Sequence, residues 1–230
     1  MVGDDSKADL LNHGIDSDDV RVLSQSEITR MLNVAADTRY PERNKAIILL
    51  ATDAGLTPRE MANLFRRHVM EADGSIAEAI DLRSKGGKYL RARIIPMPRE
   101  SRLWRAVYEL LENAPATPDD PLVISERALD GGGATADPGA NHLRQMKATS
   151  ISYIFWKIMK KAGVQNASAF SARTTFIALA GRTAVNQKLS LRNVLDMSGQ
   201  RSLDSLHKLL EATDASRKQI IEDLFETKVR

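Results

Sequence analysis

The sequence predicts a mainly helical protein with one small β-hairpin, an α+β fold in which the helices dominate. Apolar residues recur at helical spacing over most of the chain, and several of these segments begin with capping residues. One stretch instead alternates apolar and polar residues on both sides of a glycine turn, which is the pattern of paired strands. Hydrophobic residues make up 43% of the 230 residues, which is enough to bury a core.

The first predicted helix follows a charged segment without periodicity, residues 1–22, which we interpret as a flexible arm. Order is expected to begin at Ser24, which forms a capping box with Glu27, because each side chain can bond a backbone amide that the helix leaves free. The apolar residues that follow at helical spacing are Ile28, Met31, Leu32 and Ala35.

The second and third helices are predicted from proline, glycine and capping signals. The second begins near Pro41, includes the apolar run AIILLA and stops at Gly55. Because it is apolar on every side, it must lie in the centre of the fold. Thr57 and Glu60 form another capping box, which opens a third helix that we expect to extend through Leu64.

A basic β-hairpin is predicted next. The stretches IAEAIDLRS and YLRARIIPMP alternate like strands around the glycine turn Lys85-Gly86-Gly87-Lys88. From Asp81 to Arg105 the chain has eight basic and two acidic residues, although the whole chain carries a net charge of only +3. Such a local excess suits a polyanion such as DNA, and on charge alone a solvated face explains it equally well.

Helical periodicity predicts most of the rest of the chain, and residues 128–139 are glycine-rich, typical of a mobile loop. We predict one domain over residues 23–214 and a C-terminal amphipathic helix over residues 215–230, which either folds back on its own domain or docks on a neighbouring protomer. The further predicted helical segments are residues 99–113, 142–162, 168–182, 191–197, 203–212 and 215–227.

Several classes of protein are excluded by composition. The chain has no cysteine, so it has no disulfide, no thiolate zinc site and no cysteine nucleophile. Its four histidines lack metal-ligand spacing, and we expect no metal and no cofactor. There is no apolar run long enough for a membrane span and no signal-peptide pattern, so we expect a cytoplasmic protein without a membrane partner.

Four short segments, in order from about Leu23 to Ala212, resemble motifs of the tyrosine recombinase (phage integrase) catalytic domain. Residues 55–60, GLTPRE, are similar to Gly-Leu-Arg-x-x-Glu, and residues 85–96 are similar to the Lys-Gly-x-Lys-x-Arg-x-x-Pro turn of the hairpin. Residues 170–176, FSARTTF, are similar to His-x-x-Arg-x-Thr-Phe. Residues 198–203, SGQRSL, are similar to Leu-Gly-His-x-x. The resemblance implies the tyrosine recombinase catalytic-domain fold.

The resemblance also implies a chemistry that this chain has largely lost. In the family a tyrosine attacks the scissile phosphate, two arginines stabilise the phosphoryl charge, and lysine and histidines handle protons. By position this chain keeps Lys85 and Arg173. At the other catalytic positions it has Thr57, Phe170, Gln200 and Leu209, the last in place of the tyrosine, and its own tyrosines are Tyr40, Tyr89, Tyr108 and Tyr153.

We therefore interpret the chain as a DNA-binding, recombinase-like protein that does not cut DNA. It would act as a regulator, repressor or competitor at recombination or operator sites. The predicted contacts to double-stranded DNA are Lys85, Lys88, Arg91, Arg93, Arg173 and Arg201. Arg173 meets either a phosphate or a protein carboxylate, and Lys85 either a phosphate or solvent.

Two alternatives remain open at this point. One is an active site-specific recombinase, in DNA integration or recombination, with an unrecognised nucleophile. The other is a protein-interaction module that does not bind DNA. The residues before Leu23 are too few for the helical domain that family members place on the opposite face of the duplex, so we expect weak binding that depends mainly on phosphates. The C-terminal helix could link copies of the chain, or join it to an active recombinase.

Overall fold

The computed structural model describes residues 21–83, 91–112, 117–126, 145–200 and 202–212. The predicted fold class, mainly helical with one small antiparallel sheet, is confirmed. The helices are α1 (Gln25–Ala36), α2 (Pro41–Thr52), α3 (Pro58–Ala62), a 3-10 turn (Arg66–His68), α4 (Arg102–Glu112), α5 (Ala148–Lys161), α6 (Ala169–Asn186), α7 (Leu191–Ser198) and α8 (Leu203–Ala212). The strands are β1 (Ala79–Asp81) and β2 (Ile94–Pro96).

Helix α2 lies in the centre of the fold, as predicted. Nine of its twelve residues are buried, and it packs against α1, α4 and α6. Helix α1 begins at the predicted capping box, in which the Ser24 hydroxyl accepts from the Glu27 amide and the Glu27 carboxylate accepts from the Ser24 amide. Its apolar side, which includes Ile28, Met31 and Ala35, faces α2 and the main core.

Gly55 ends the α2 segment with a left-handed backbone, φ 64°. Its amide donates to the Ala51 carbonyl at 3.1 Å, and the next amide, of Leu56, donates to the Leu50 carbonyl at 2.9 Å. A side chain at residue 55 would collide with α6, because a Cβ there would lie 2.5 Å from Cδ1 of Phe176. Glycine is therefore required by both the backbone and the close approach of α6.

The predicted hairpin pairs β1 with β2 over three residues each, which is shorter than the alternating stretches of the sequence. Ile80 lies opposite Ile95, and both side chains are buried. One further amide bond extends the pairing on each side, from Leu82 to the Arg93 carbonyl at 2.9 Å and from Met97 to the Glu78 carbonyl at 2.8 Å. The turn residues Lys85 and Lys88 lie outside the described residues.

Helix α3 is shorter than predicted, because it ends at Ala62 and does not extend through Leu64. Asn63 leaves the helical conformation, and the Leu64 carbonyl instead accepts from the Leu122 amide at 2.8 Å. A long-range backbone bond has replaced the next helical turn. The sequence periodicity could not reveal this, since the partner is distant in the chain.

Two other helices begin later than predicted. Helix α4 begins at Arg102 and not at residue 99, because Glu100 has a left-handed backbone, φ 66°, and the Ser101 amide closes a turn onto the Pro98 carbonyl at 3.0 Å. Helix α5 begins at Ala148 and not at residue 142, because Gln145 forms an isolated β-bridge with Ile124. Helix α6 continues to Asn186, beyond the predicted end at residue 182.

Helices α6, α7 and α8 enclose a second, smaller apolar cluster beside the main core. Its buried members are Ile177, Ala184, Val194, Leu206 and Leu209. Within the described ranges, no helix is long and apolar enough to cross a membrane. Most of the predicted arm (residues 1–20), the glycine-rich loop (128–139) and the C-terminal helix (215–230) lie outside these ranges, so the predictions made for them stay predictions.

We predict that Gly55→Ala destabilises the protein more than Gly163→Ala. Both glycines have left-handed backbones, φ 64° and φ 67°, but a Cβ at Gly163 would meet nothing within 4 Å. Both variants therefore carry a backbone cost of about 1–2 kcal/mol, and overpacking against Phe176 adds about 1–3 kcal/mol to Gly55→Ala alone. Urea unfolding of both variants measures the difference, and equal free energies of unfolding would contradict the close contact.

Candidate nucleic-acid interface: an arginine–glutamate cluster

The carboxylate of Glu60 is held in place by the N-terminus of α3. The Thr57 amide donates to Oε2 of Glu60 at 2.8 Å, and the Glu60 amide donates to Oγ1 of Thr57 at 3.2 Å. Glu60 is only 6% exposed, so the sequence-predicted capping box also brings a charged group into the protein interior. A buried carboxylate needs partners of opposite charge to be stable there.

Arg93, at the edge of β2, is the first partner of Glu60. Its Nη1 lies 2.7 Å from Oε1 of Glu60, and its Nε donates to the Met197 carbonyl of α7 at 3.0 Å. Nη2 of Arg93 is buried and, among the residues that the structure describes, has no hydrogen-bond partner. The N–H donors of Nη2 are therefore not used by the part of the chain that the structure describes.

Arg173, on α6, is the second partner. Its Nη1 lies 3.4 Å from Oε2 of Glu60 and also donates to the Gly55 carbonyl, while its Nη2 donates to the Ser198 carbonyl at 2.8 Å. The side chain is largely buried, and the residue is 8% exposed. Of the two partners considered for Arg173 from the sequence, the protein carboxylate is present in the structure.

Arg91 completes the cluster at the surface, where its Nη1 donates to the Gly199 carbonyl. The carbonyls of Met197, Ser198 and Gly199, at the C-terminal end of α7, thus accept from three different arginines. These carbonyls have no partner within the helix and carry the negative end of its dipole, which favours guanidinium groups. We call Arg91, Arg93, Arg173 and Glu60 the arginine cluster.

The arginine cluster contains three positive charges and one negative charge. Burial acts to raise the pKa of Glu60, but the hydrogen bond and charge of Arg93 and the charge of Arg173 outweigh it and hold the pKa below its ordinary value. Burial lowers the pKa of Arg173, the charge of Glu60 opposes this, and the charges of Arg93 and Arg91 add to it. The site therefore has an unbalanced positive charge that an anion can neutralise.

The structure brings together three of the six predicted DNA contacts, Arg91, Arg93 and Arg173. Lys85, Lys88 and Arg201 lie outside the described residues. The sequence reasoning treated Glu60 only as a helix cap and missed that it is the common partner of two arginines. One sequence signal could have indicated this role, because Glu60 is the glutamate of the segment that resembles Gly-Leu-Arg-x-x-Glu.

Four positions that the resembled motifs align with catalytic groups of the family hold other side chains here. Thr57 is used in the α3 cap, Phe170 is 47% exposed, and Gln200 is half-buried. Leu209, at the position of the tyrosine, is 7% exposed and packs in the cluster between α6, α7 and α8. Among the described residues there is also no group of histidine, cysteine and acidic side chains that could hold a metal ion.

No family model and no curated protein sequence matches the chain. Among solved structures, the XerA recombinase superposes with a TM-score of 0.64 at 20% identity, over 96% of this chain and 68% of that chain. The XerH recombinase bound to difH substrate superposes with a TM-score of 0.62 at 15% identity, over 94% and 56%. The Tn1549 transposon integrase in complex with transposon right end DNA gives 0.56 at 13% identity, over 97% and 70%. The fold is that of a tyrosine recombinase catalytic domain, as the motifs predicted.

We predict that Glu60→Gln destabilises the protein by about 3–5 kcal/mol, because it leaves two buried guanidinium groups without a counter-charge. Glu78→Gln is the matched control, since Glu78 pairs with Arg99 at 3.7 Å and both side chains are 64% exposed. The control is expected to change the free energy of unfolding by less than about 1 kcal/mol. Similar losses in both variants, measured by urea unfolding, would show that the cluster is not a buried ion-pair network.

The stabilisation from Glu60 is expected to depend on pH with a definite sign. Because the folded-state pKa of Glu60 lies below its ordinary value of 4.5, the ionised carboxylate stabilises the fold fully above that pH. The contribution is lost as the pH falls through the lower folded-state pKa. The difference in free energy of unfolding between the native chain and Glu60→Gln should therefore be constant near neutral pH and shrink in acid. A difference that grows in acid would refute the assignment.

Proposed function

We propose that this chain binds double-stranded DNA through the arginine cluster and does not cleave it. The observation that carries the proposal is the unbalanced charge of the cluster, in which three guanidinium groups share one carboxylate. Arg91 is exposed, and the side-chain bond to the Gly199 carbonyl uses one of its five N–H donors. The other N–H donors of Arg91 have the geometry to bind a phosphate oxygen.

The cluster suits a phosphate because it is rigid before the anion arrives. Arg93 and Arg173 are held by Glu60 and by the end of α7, so little side-chain entropy remains to be lost on binding. Their positive potential adds to that of Arg91 at the surface. Contacts of this kind position a protein on the duplex and carry no base information, so we expect little sequence selectivity from the cluster itself.

Two further observations support DNA as the anion and argue against cleavage. The Tn1549 integrase, which shares this fold, is in complex with transposon right end DNA, and the XerH recombinase is bound to a palindromic difH substrate. At the position of the attacking tyrosine, however, this chain has the apolar and buried Leu209. A protein that occupies DNA without cutting it can repress or compete at recombination or operator sites, and this is the biological role that we propose.

We predict that Arg91→Ala weakens binding to every duplex by a similar factor and lowers the dependence of log K on log salt by about one. The physical reason is the loss of one phosphate contact with its released counterion. Arg105→Ala is the matched control, because Arg105, on α4, is also exposed but pairs with Glu100, which precedes the helix. Electrophoretic mobility shifts at several salt concentrations measure the affinity of each variant and its salt dependence. No shift at low salt would favour the interaction-module alternative.

We also predict that the chain forms no covalent adduct with a nicked suicide duplex and that Leu209→Tyr does not restore one. Thr57, Phe170 and Gln200 would still leave the phosphate without an arginine and two histidines, and catalytic groups of this kind act as a unit. The measurement is a denaturing gel of protein with labelled duplex. A band that survives denaturation in the native chain would establish the alternative of an active recombinase.

A further inference from the structure

Helix α5 and the residues that follow it, up to the middle of α7, are rich in basic side chains. Residues 145–195 contain eight basic residues and no acidic residue. Arg192 pairs with Asp196, and Arg173 pairs with Glu60. The lysines of α5 have no acidic residue on the same helix, and because they are exposed they create a positive surface. The cations are Lys147, Lys157, Lys160, Lys161, Arg173, Lys188, Arg182 and Arg192.

Helix α5 carries two exposed aromatic rings within this basic stretch. Tyr153 is 60% exposed and Trp156 is 53% exposed. Their rings stack with centroids 5.6 Å apart and an angle of 22° between the planes. Nζ of Lys160 lies 5.0 Å from the Trp156 ring. The opposite side of the helix, which includes Ile151, Phe155 and Ile158, packs in the core. The two exposed rings are therefore not required for packing.

A cleft of about 330 Å³ adjoins Trp156 where α5 ends. Gly163, Gln165 and Asn166 line it together with Trp156 and Lys160. Its shape is held by backbone bonds, since the Val164 amide donates to the Met159 carbonyl at 2.9 Å. Nε of Arg30, on α1, fixes the end of the helix by donating to the Ala162 carbonyl at 3.1 Å. The cleft is therefore part of the folded structure and does not have to be created by a ligand.

We propose that this face of α5 binds a single-stranded nucleic acid, with an unpaired base stacked on Trp156. Base–aromatic stacking requires a flat exposed ring, and every base has a π-face that can use it. The lysines beside the ring supply the positive charge that the phosphates need. The side-chain amides of Gln165 and Asn166 can donate to and accept from the edge of a base in the cleft.

Charge and shape favour this ligand over two other occupants. A second copy docked through the same face would bring Lys157, Lys160 and Lys161 against their own counterparts, and like charges repel. An acidic peptide would satisfy the lysines but would not require the two stacked planar rings. A strand with unpaired bases satisfies both, because Lys160 can leave the indole for a phosphate while a base takes its place.

A second pair of stacked aromatic rings lies on α4 and differs from the α5 pair in its surroundings. Trp104 and Tyr108 stack with centroids 5.4 Å apart and 21° between planes. Trp104 packs against the main core, and the Tyr108 hydroxyl donates to Glu112, so this pair has an acidic neighbour and a structural role. It offers a matched control within the same chain.

Trp156 fluorescence tests the proposal directly, since the chain has only two tryptophans. Trp104→Phe leaves Trp156 as the sole reporter, and Nε1 of Trp104 has no hydrogen-bond partner among the described residues, so no bond is lost. Titration with oligothymidine of about ten nucleotides, a length within the site size of single-strand binders, should quench Trp156 saturably. Absence of quenching at low salt would overturn the proposal.

Variants then separate this site from the arginine cluster. Trp156→Ala and Lys160→Ala should each weaken oligothymidine binding, Trp156→Ala by about tenfold, and leave duplex binding unchanged. Tyr108→Ala should change neither affinity, and Arg91→Ala should weaken binding to the duplex more than binding to oligothymidine. The native affinity persisting in Trp156→Ala would overturn the proposal. So would competition by polyglutamate as strong as by oligothymidine, or self-association that Trp156→Ala abolishes.

Discussion

The ion pairs of Glu60 with Arg93 and Arg173 are the interaction on which the rest of the site depends. One carboxylate, presented by the short helix α3, meets a guanidinium from β2 and another from α6. Both arginines also donate hydrogen bonds to carbonyls at the end of α7. Four elements, α3, β2, α6 and α7, therefore meet at one buried carboxylate. A buried network of this kind is weak evidence for stability in itself, but removing one member leaves charges that the interior cannot solvate.

In the binding that we propose, a largely buried arginine contributes to the potential that an anion meets at the surface. Glu60 neutralises only part of the charge around it, and the remainder extends outward to Arg91, which is exposed. The carboxylate keeps Arg93 and Arg173 in position without cancelling their combined potential. A contact of Arg173 with a protein carboxylate is therefore compatible with the DNA-binding role that we propose for the cluster, because the two contacts involve different parts of one charge network.

The arginine cluster and the exposed face of α5 are basic in different ways. In the cluster, guanidinium groups are fixed by a carboxylate and by helix carbonyls, which suits one phosphate in one geometry. On α5 the lysines are flexible point charges beside the exposed rings of Tyr153 and Trp156, with no acidic residue nearby in the chain. Flexible charges and planar rings suit a ligand whose backbone path varies. These differences are the reason why we propose a duplex as the ligand of the arginine cluster and a single strand as the ligand of α5.

The sequence by itself determined the features that depend on residues close together in the chain. These are the cap at Ser24, the central position of α2, the stop at Gly55 and one antiparallel hairpin. Through the resembled motifs it also determined the fold. The tertiary structure decided the rest. Helix α3 ends earlier than the sequence predicts, and α4 and α5 begin later. Glu60 is the centre of an ion-pair network as well as a helix cap. Leu209 is buried between three helices. The physical reason is distance along the chain. Glu60 meets partners 33 and 113 residues away, and such contacts leave no local periodicity to read.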